Sequence, residues 1–407
     1  MIKRNTGLAN LTAGYLFPEI SRRRNEYAAS HPGAKIISLG IGNTTEPLSK
    51  HIAGAMSEYA LSLSTPEGYS GYGDDYGNPA LRRRIAEVFY KGLADESEIF
   101  ISDGAKCDIA RVQTLFGGDV KVAVQDPAYP VYVDGSVIVG AAGAKKWEGY
   151  DGITYLPCTE DNGFFPDLSK VGPNTLIYFC SPNNPTGVTA TREQLRTLVD
   201  FALANGCVII YDAAYCEFIR DPSLPKTIFA IEGARRCAIE VNSFSKPAGF
   251  TGVRLGWSVV PNELKFDDGS SVNADWKRVM STLFNWASNI AQAGGLAALD
   301  EQGLKDMREQ VDYYLANGRR IKETLDGDNF RKLGVTAYFT GNGPYVWAKF
   351  PGRKSWDVFD AILDKCHIVT TPGSGFGPAG ESFVRFSSFG HKADIEEACA
   401  RLSSLSL

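Results

Sequence analysis

Ser243, Phe244, Ser245 and Lys246 stand just upstream of Gly252, Val253, Arg254, Leu255 and Gly256. They follow an apolar run over 236–241 that reads as a buried strand. A lysine in a loop after such a strand, set between hydroxyls and glycines, is open to desolvation. Its pKa then falls and its amine becomes a nucleophile. The hydroxyls of Ser243 and Ser245 and the guanidinium of Arg254 can cradle a dianionic phosphate. Taken alone, the same residues also read as a surface lysine in a Ser/Gly turn.

Three upstream segments shift that balance. Ser181, Pro182, Asn183, Asn184, Pro185, Thr186 and Gly187 make a sharp turn after an apolar strand over 176–180. That is where open parallel sheets bind ligands. Asp212 and Tyr215 follow a strand over 207–211, which puts a carboxylate and a phenol at another strand end. Asp103, Gly104, Ala105 and Lys106 open a helix, whose first N–H groups and dipole favour a phosphate. Each alone is a turn, a cap or a satisfied polar loop. Together they supply a Schiff-base lysine, a buried carboxylate, a phenol, an amide and a phosphate cup. Pyridoxal phosphate requires that set: the acid keeps the pyridine nitrogen protonated, and Tyr215 and Asn184 stabilise the 3-oxyanion. Tyr129 is an aromatic that can stack on the ring.

The elements that must hold these residues follow from apolar patterning. Strands are predicted over 120–124, 176–180, 207–211 and 236–241, with a Pro79-initiated helix over 79–93 and another over 192–203. The alternation predicts an α/β domain with a mostly parallel sheet in an α/β/α sandwich. A long helical stretch over 286–326 follows, then strands over 345–350 and 383–387 mixed with helices over 355–366 and 392–404. These predict a smaller α+β domain. The expected boundaries are 48–295 for the large domain, and 1–47 with 296–407 for the small domain and its N-terminal arm.

Composition bounds the function. The 407 residues allow two or three domains at about 150 each. An apolar share of 44% and a charged share of 22% are those of a soluble globular protein. The net charge of −5 gives no footprint for nucleic acid. No apolar run reaches the roughly 18 residues that span a membrane, and no apolar h-region follows the N-terminus. The eight cysteines form no CxxC pair and read as reduced, mostly buried thiols. The four histidines lack metal-site spacing, so no metal is expected.

The order Asn184-Pro-Thr-Gly, Asp212-x-x-Tyr215, Ser245-Lys246, Arg254 resembles fold-type I aminotransferases of the aspartate aminotransferase superfamily. The separations of 28 residues from Asn184 to Asp212 and 34 from Asp212 to Lys246 fit that pattern. Residues 13–20, 68–73, 102–106 and 371–377 are similar to the LL-diaminopimelate aminotransferases, in their plant, cyanobacterial and chlamydial branch. The resemblance covers essentially the whole chain.

That resemblance implies a role for each matching residue. Lys246 would carry the cofactor and shuttle the Cα proton, with Asp212 on the pyridine nitrogen and Asn184 and Tyr215 at the 3-oxygen. Ala105, Lys106, Ser243, Ser245 and Arg254 would hold the phosphate, joined by Tyr72 from the neighbouring subunit of a homodimer with shared sites. Tyr129 would stack on the ring. Arg385 would clamp the substrate α-carboxylate, while Tyr15, Gly42, Lys106, Tyr129, Asn184 and Asn285 match substrate-side positions, Asn285 also touching the cofactor. Asp75 would reach a distal ammonium across the dimer. The implied reaction moves an amino group from glutamate to tetrahydrodipicolinate, giving LL-diaminopimelate and 2-oxoglutarate on the route to lysine. The implied location is cytoplasmic in a bacterium, or the plastid stroma where a transit peptide has been removed. Two residues depart from the pattern: Asn43 stands where Asp is expected, and Trp286 where Gly is expected. Other chemistry on the same scaffold, a β-lyase or another transaminase, is the second reading. A non-catalytic regulator is the third, disfavoured by Lys246 and by the lack of a basic N-terminal module.

Overall fold

The computed structural model describes residues 1–11, 16–146 and 149–405. Its centre is a seven-stranded sheet in the order Ile99–Ser102, Gly256–Val259, Ala238–Ser243, Val208–Asp212, Thr175–Cys180, Lys121–Asp126, Ile153–Pro157. Only Gly256–Val259 runs against its neighbours; the remaining pairings, from Ala238–Ser243 outward, are parallel. Thr175–Cys180 and Ala238–Ser243 are buried at every position. Thr175–Cys180 is accordingly apolar almost throughout, while Ala238–Ser243 buries Glu240, which accepts from the Tyr90 and Thr227 hydroxyls and the Ile228 N–H. Layers pack on both faces, one around Trp257, Tyr211 and Leu198, the other around Trp276, Tyr178 and Val124. The α/β class with a mostly parallel sheet is as expected.

Parallel strands place their carboxyl ends on one edge. Four of the six ends are polar: Ser102, Asp126, Asp212 and Ser243. The predicted site segments therefore meet without any further device. Three predicted strands are shifted in position, the run over 120–124 becoming Lys121–Asp126. The run over 207–211 begins at Val208 and includes Asp212, and the run over 236–241 becomes Ala238–Ser243. Asp212 is thus the last residue of its strand, with its backbone fixed by the ladder.

A second, antiparallel sheet runs Thr336–Tyr338, Tyr345–Lys349, Phe383–Ser387, Thr371–Pro372. Arg385 lies on its inner strand, opposite Trp347 and Thr371. The N-terminal segment is laced to the same region. Ile37–Ser38 pairs parallel with Ile368–Val369, and Ser387 donates its N–H to the Leu39 carbonyl. This brings Gly40 and Gly42 beside the larger sheet's polar edge. Both must be glycine: a Cβ at Gly40 would fall 2.4 Å from the Thr370 carbonyl, and one at Gly42 2.4 Å from the Tyr345 hydroxyl.

The single helical stretch expected over 286–326 is two helices, Asn289–Ala298 and Glu301–Leu325. Asp300 breaks it by accepting the Gly303 N–H at 2.9 Å, an N-cap that starts a new helix. Asn285 and Trp286 precede both helices with φ near +66°. A bulky side chain rarely adopts that left-handed conformation. The sequence reading missed the strands Ile99–Ser102, Ile153–Pro157 and Gly256–Val259, and the helices Leu16–Ser30 and Lys50–Ser62. All eight cysteines are free thiols, seven of them buried.

The strand that leads into the Asp103–Ala105 turn is anchored by Glu98, a carboxylate only 1% exposed. Arg235 pairs with both its oxygens, at 2.7 and 3.1 Å. The N–H groups of Asp95 and Asn262 complete the shell. Removing one partner of a buried pair leaves the other charge uncompensated. Arg235→Met is therefore expected to lose about 3 kcal/mol of stability. Arg331→Met, which breaks a fully solvated pair with Asp328, is expected to lose under about 0.5 kcal/mol. Urea unfolding at one fixed protein concentration checks both values.

Candidate active site

Between the polar edge of the large sheet and the strand bearing Arg385 lies a cavity of about 410 Å³. It is lined by Gly42, Ala105, Lys106, Tyr129, Asn184, Asp212, Tyr215, Ser243, Ser245, Lys246, Arg254 and Arg385. These twelve of the sequence-predicted residues come together, although they span more than 340 positions. Tyr72, Asp75 and Asn285 do not line it; all three are exposed on their own chain. Tyr72 meets Trp286 edge-on with ring centres 4.8 Å apart. Tyr15 lies outside the described residues.

Lys246 follows Ser243 and Ser245 out of the sheet and points into the cavity. Its Nζ donates to the Gly42 carbonyl. Removal from bulk water lowers its pKa to about 8, helped by the positive charges of Arg385 and Arg254 and opposed by Asp212. The amine is therefore substantially neutral a little above physiological pH, as a nucleophile must be.

Asp212 is buried, and burial raises its pKa. Two donors hold it against that: the Tyr132 hydroxyl reaches Oδ2 at 2.7 Å, and the Ala214 N–H reaches Oδ1 at 3.1 Å. Tyr215 shares a hydrogen bond of 2.8 Å with the Tyr345 hydroxyl. Tyr132 and Tyr345, which hydrogen-bond Asp212 and Tyr215, are residues that the sequence reading did not single out. Both carry only the generic signal of an aromatic in an apolar run.

Arg385 is 1% exposed. Its Nη1 donates to Asn184 Oδ1 at 2.6 Å, and its Nη2 to the Gly40 carbonyl and to Thr371 Oγ1. Its plane lies over the rings of Tyr345 and Phe376, at 4.3 and 4.8 Å. Every one of these partners is neutral, and Nε is buried with no hydrogen bond. Burial accordingly pushes the guanidinium below its ordinary pKa. A planar donor set held this way is ready for a carboxylate.

On the opposite side, the helix Ala105–Val112 starts with no side chain capping it. Arg254, in a left-handed conformation with φ +67°, sets its Nη2 2.7 Å from where a Cβ on Gly104 would be. Asp103, the nearest acid, is turned away into an ion pair with Arg111 at 2.7 Å. A helix N-terminus, an arginine and the Ser243 and Ser245 hydroxyls thus make an anion cup. The cavity offers one place for a phosphate, one for a carboxylate, an amine of lowered pKa and a buried carboxylate. Among the described residues no cluster of three or more metal-ligating side chains occurs, and no helix is long and apolar enough to cross a membrane.

The lysine pKa has a consequence for the protein free of small molecules. Below about 8 Lys246 is charged both folded and unfolded, and the folded state bears the full cost of a desolvated cation. Between about 8 and 10.5 the unfolded chain holds the proton and the folded chain does not, so that cost fades with rising pH. Lys246→Met is expected to raise the melting temperature of the apoprotein at pH 7. The gain should shrink steadily from pH 8 to pH 10. Differential scanning calorimetry of both proteins across that range checks the slope.

A family profile described as aminotransferase class I and II matches residues 34–402. The chain is 56% identical over 407 residues to the probable LL-diaminopimelate aminotransferase, chloroplastic, of Oryza sativa, covering 99% of this chain and 86% of that protein. It is 51% identical to the LL-diaminopimelate aminotransferase of Protochlamydia amoebophila, covering 99% and 97%. The solved L,L-diaminopimelate aminotransferase of Chlamydomonas reinhardtii superposes with a TM-score of 0.93 at 56% identity, over 98% of each chain. The fold is therefore that of the fold-type I enzymes, and the lysine, carboxylate and arginines described above occupy its cavity. This chain belongs to the class I and II aminotransferases.

Proposed function

We propose that the chain is a pyridoxal-phosphate-dependent LL-diaminopimelate aminotransferase. In this reading glutamate gives its amino group to tetrahydrodipicolinate, and LL-diaminopimelate and 2-oxoglutarate are the products. The observation that carries it is Arg385: a buried guanidinium with neutral partners and an idle Nε, facing the same cavity as a lysine whose pKa burial lowers to about 8. An α-amino acid supplies the missing carboxylate. The choice of diaminopimelate rests on the names borne by relatives above 50% identity over nearly the whole chain.

The residues present fit pyridoxal phosphate. The uncapped helix start at Ala105 and Lys106, with Ser243, Ser245 and Arg254, would hold its phosphate. Asp212 would face its ring nitrogen, Asn184 and Tyr215 its phenolic oxygen, and Tyr129 its face. When bound, the cofactor supplies an aldehyde that exchanges amino groups and a ring that accepts the electron pair left at a deprotonated Cα. The chain does the rest. Arg385 grips the α-carboxylate in a fork and fixes the direction of the Cα–H bond. Lys246 Nζ, in its neutral form, would take the proton from Cα and return it to the carbon supplied by the cofactor's aldehyde, on the far side of the amino nitrogen. The Tyr215 hydroxyl, steadied by Tyr345, donates to developing negative charge.

Tyr72, Asp75 and Asn285 support a homodimer in which each chain completes its partner's site. Tyr72 is 90% exposed in a loop whose Ser70 and Gly71 bond to Asn289 and Tyr59 nearby. In the dimer Tyr72 would reach the partner's cofactor phosphate, and Asp75 the distal ammonium of diaminopimelate. The plant relatives are named as chloroplastic and the chlamydial one is bacterial. The plastid stroma or the bacterial cytoplasm follows as the setting.

The two donors share an α-amino acid head and differ at the far end. Arg385→Lys lacks the planar fork, and losing it in a desolvated site costs roughly 2–5 kcal/mol. It is expected to lower kcat/KM for glutamate and for LL-diaminopimelate alike. Asp75→Asn is expected to slow only the diaminopimelate half-reaction, because glutamate has no distal ammonium. Single-turnover absorbance traces of each half-reaction measure this. Equal losses for both substrates in Asp75→Asn would remove Asp75 from the substrate site.

A further inference from the structure

We infer that Tyr132 is a positioning residue that holds Asp212 ionised and aimed at the cofactor's ring nitrogen through its hydroxyl. The inference rests on the pyridoxal phosphate reading above and concerns a residue outside the motifs that support it. Tyr132 does not line the cavity. Its hydroxyl nonetheless makes the shorter of the two hydrogen bonds to Asp212, 2.7 Å against 3.1 Å for the Ala214 N–H.

The phenol is held rigidly. Tyr132 lies in the first turn of the helix Val131–Val139 and is 1% exposed. Its ring stacks on Tyr178, with centres 5.2 Å apart and planes within 10°. It also meets Tyr129 edge-on at 5.9 Å. Its carbonyl accepts the Ser136 hydroxyl at 2.7 Å and the Gln113 amide at 3.4 Å. One turn of chain therefore supplies both the ring-facing Tyr129 and the hydroxyl that steadies the acid below the ring.

A phenol suits this task for a physical reason. A hydrogen bond donated to a carboxylate favours its ionised form and opposes the effect of burial. The other groups facing Asp212 are Lys246, the Cys180 thiol on the neighbouring strand and, farther off, Tyr345. Burial raises the pKa of Tyr132, Cys180 and Tyr345, so none of the three gains a charge near neutral pH. Tyr132 is thus a donor whose own charge stays constant while Lys246 changes state. Asp212 can balance the ring nitrogen throughout the cycle without exchanging a proton with its own support.

The test is Tyr132→Phe, read in three ways on the holoenzyme. The change removes one oxygen and keeps the ring stack. A hydrogen bond to a charged group is worth roughly tenfold to a hundredfold in an equilibrium. Pyridoxal phosphate should dissociate about tenfold or more faster from the variant. The pH midpoint of its visible absorbance should shift, and kcat for glutamate should fall about tenfold or more while KM moves less than about threefold. Tyr178→Phe, which keeps the stack and the Asp212 bond, should match wild type in all three. If Tyr132→Phe does not fold, Tyr132→His, which retains a donor, takes its place. A titration like wild type then supports the inference, and one displaced as far as that of Asp212→Asn overturns it. Tyr132→Phe with unchanged cofactor release and unchanged absorbance midpoint, whatever its melting temperature, overturns the inference alone. A wild-type protein that fails to bind pyridoxal phosphate would instead overturn the reading beneath it.

Discussion

Four cationic side chains, Lys106, Lys246, Arg254 and Arg385, line one small cavity, with Asp212 the one acid among its lining residues. Arg385 is enclosed by neutral acceptors and aromatic rings, and Lys246 rests on a single backbone carbonyl. Taking an ion out of water costs several kcal/mol, and only good partners offset it. The chain accepts that cost in the one place where anionic groups can repay it. The surrounding architecture serves to keep water and stray carboxylates out. Asp103 is diverted to Arg111, and Asp126 bonds to the Ala379 N–H. Among the acids of the described residues, Asp212 lines the cavity.

That arrangement needs two sheets and a strap. The parallel sheet delivers Asp212, Ser243 and Lys246 to one edge, because strands that run together end together. The antiparallel sheet delivers Arg385 from an inner strand, where its backbone is fixed on both sides. The segment over 37–42 ties the two, giving one carbonyl to Arg385 and another to Lys246. The steric limits at Gly40 and Gly42 follow from this double duty.

Much of this was legible in the sequence. Unbroken apolar runs announced the parallel strands, and the polar residues just beyond them announced the edge. Lys246, Asp212 and Asn184 stood out because each combines a reactive group with a strand end. Arg385 and Gly42 emerged only through the family resemblance, since an arginine in an apolar strand has no local signature. Other features carried no signal of their own. Tyr132 gains its meaning from a contact across 80 residues, and Tyr345 from one across 130. The helix break at Asp300 was masked because apolar spacing continues through it. The short strand Gly256–Val259 was hidden because its glycine reads as a turn and its direction is set by partners on both sides.

The central claim is that the cavity is a cationic site awaiting anions, in which burial first, and then the charges of Arg385 and Arg254, lower the pKa of Lys246. The most direct measurement is the pKa of Lys246 itself. It can be read by carbon NMR of apoprotein labelled at the lysine ε-carbon, with Lys246→Met used to assign the resonance. The account predicts a value near 8 in the free apoprotein. It also predicts a rise when 2-oxoglutarate is added at saturation, because a bound dianion offsets the neighbouring arginines. A Lys246 that titrates above 10 and ignores the dianion would contradict it.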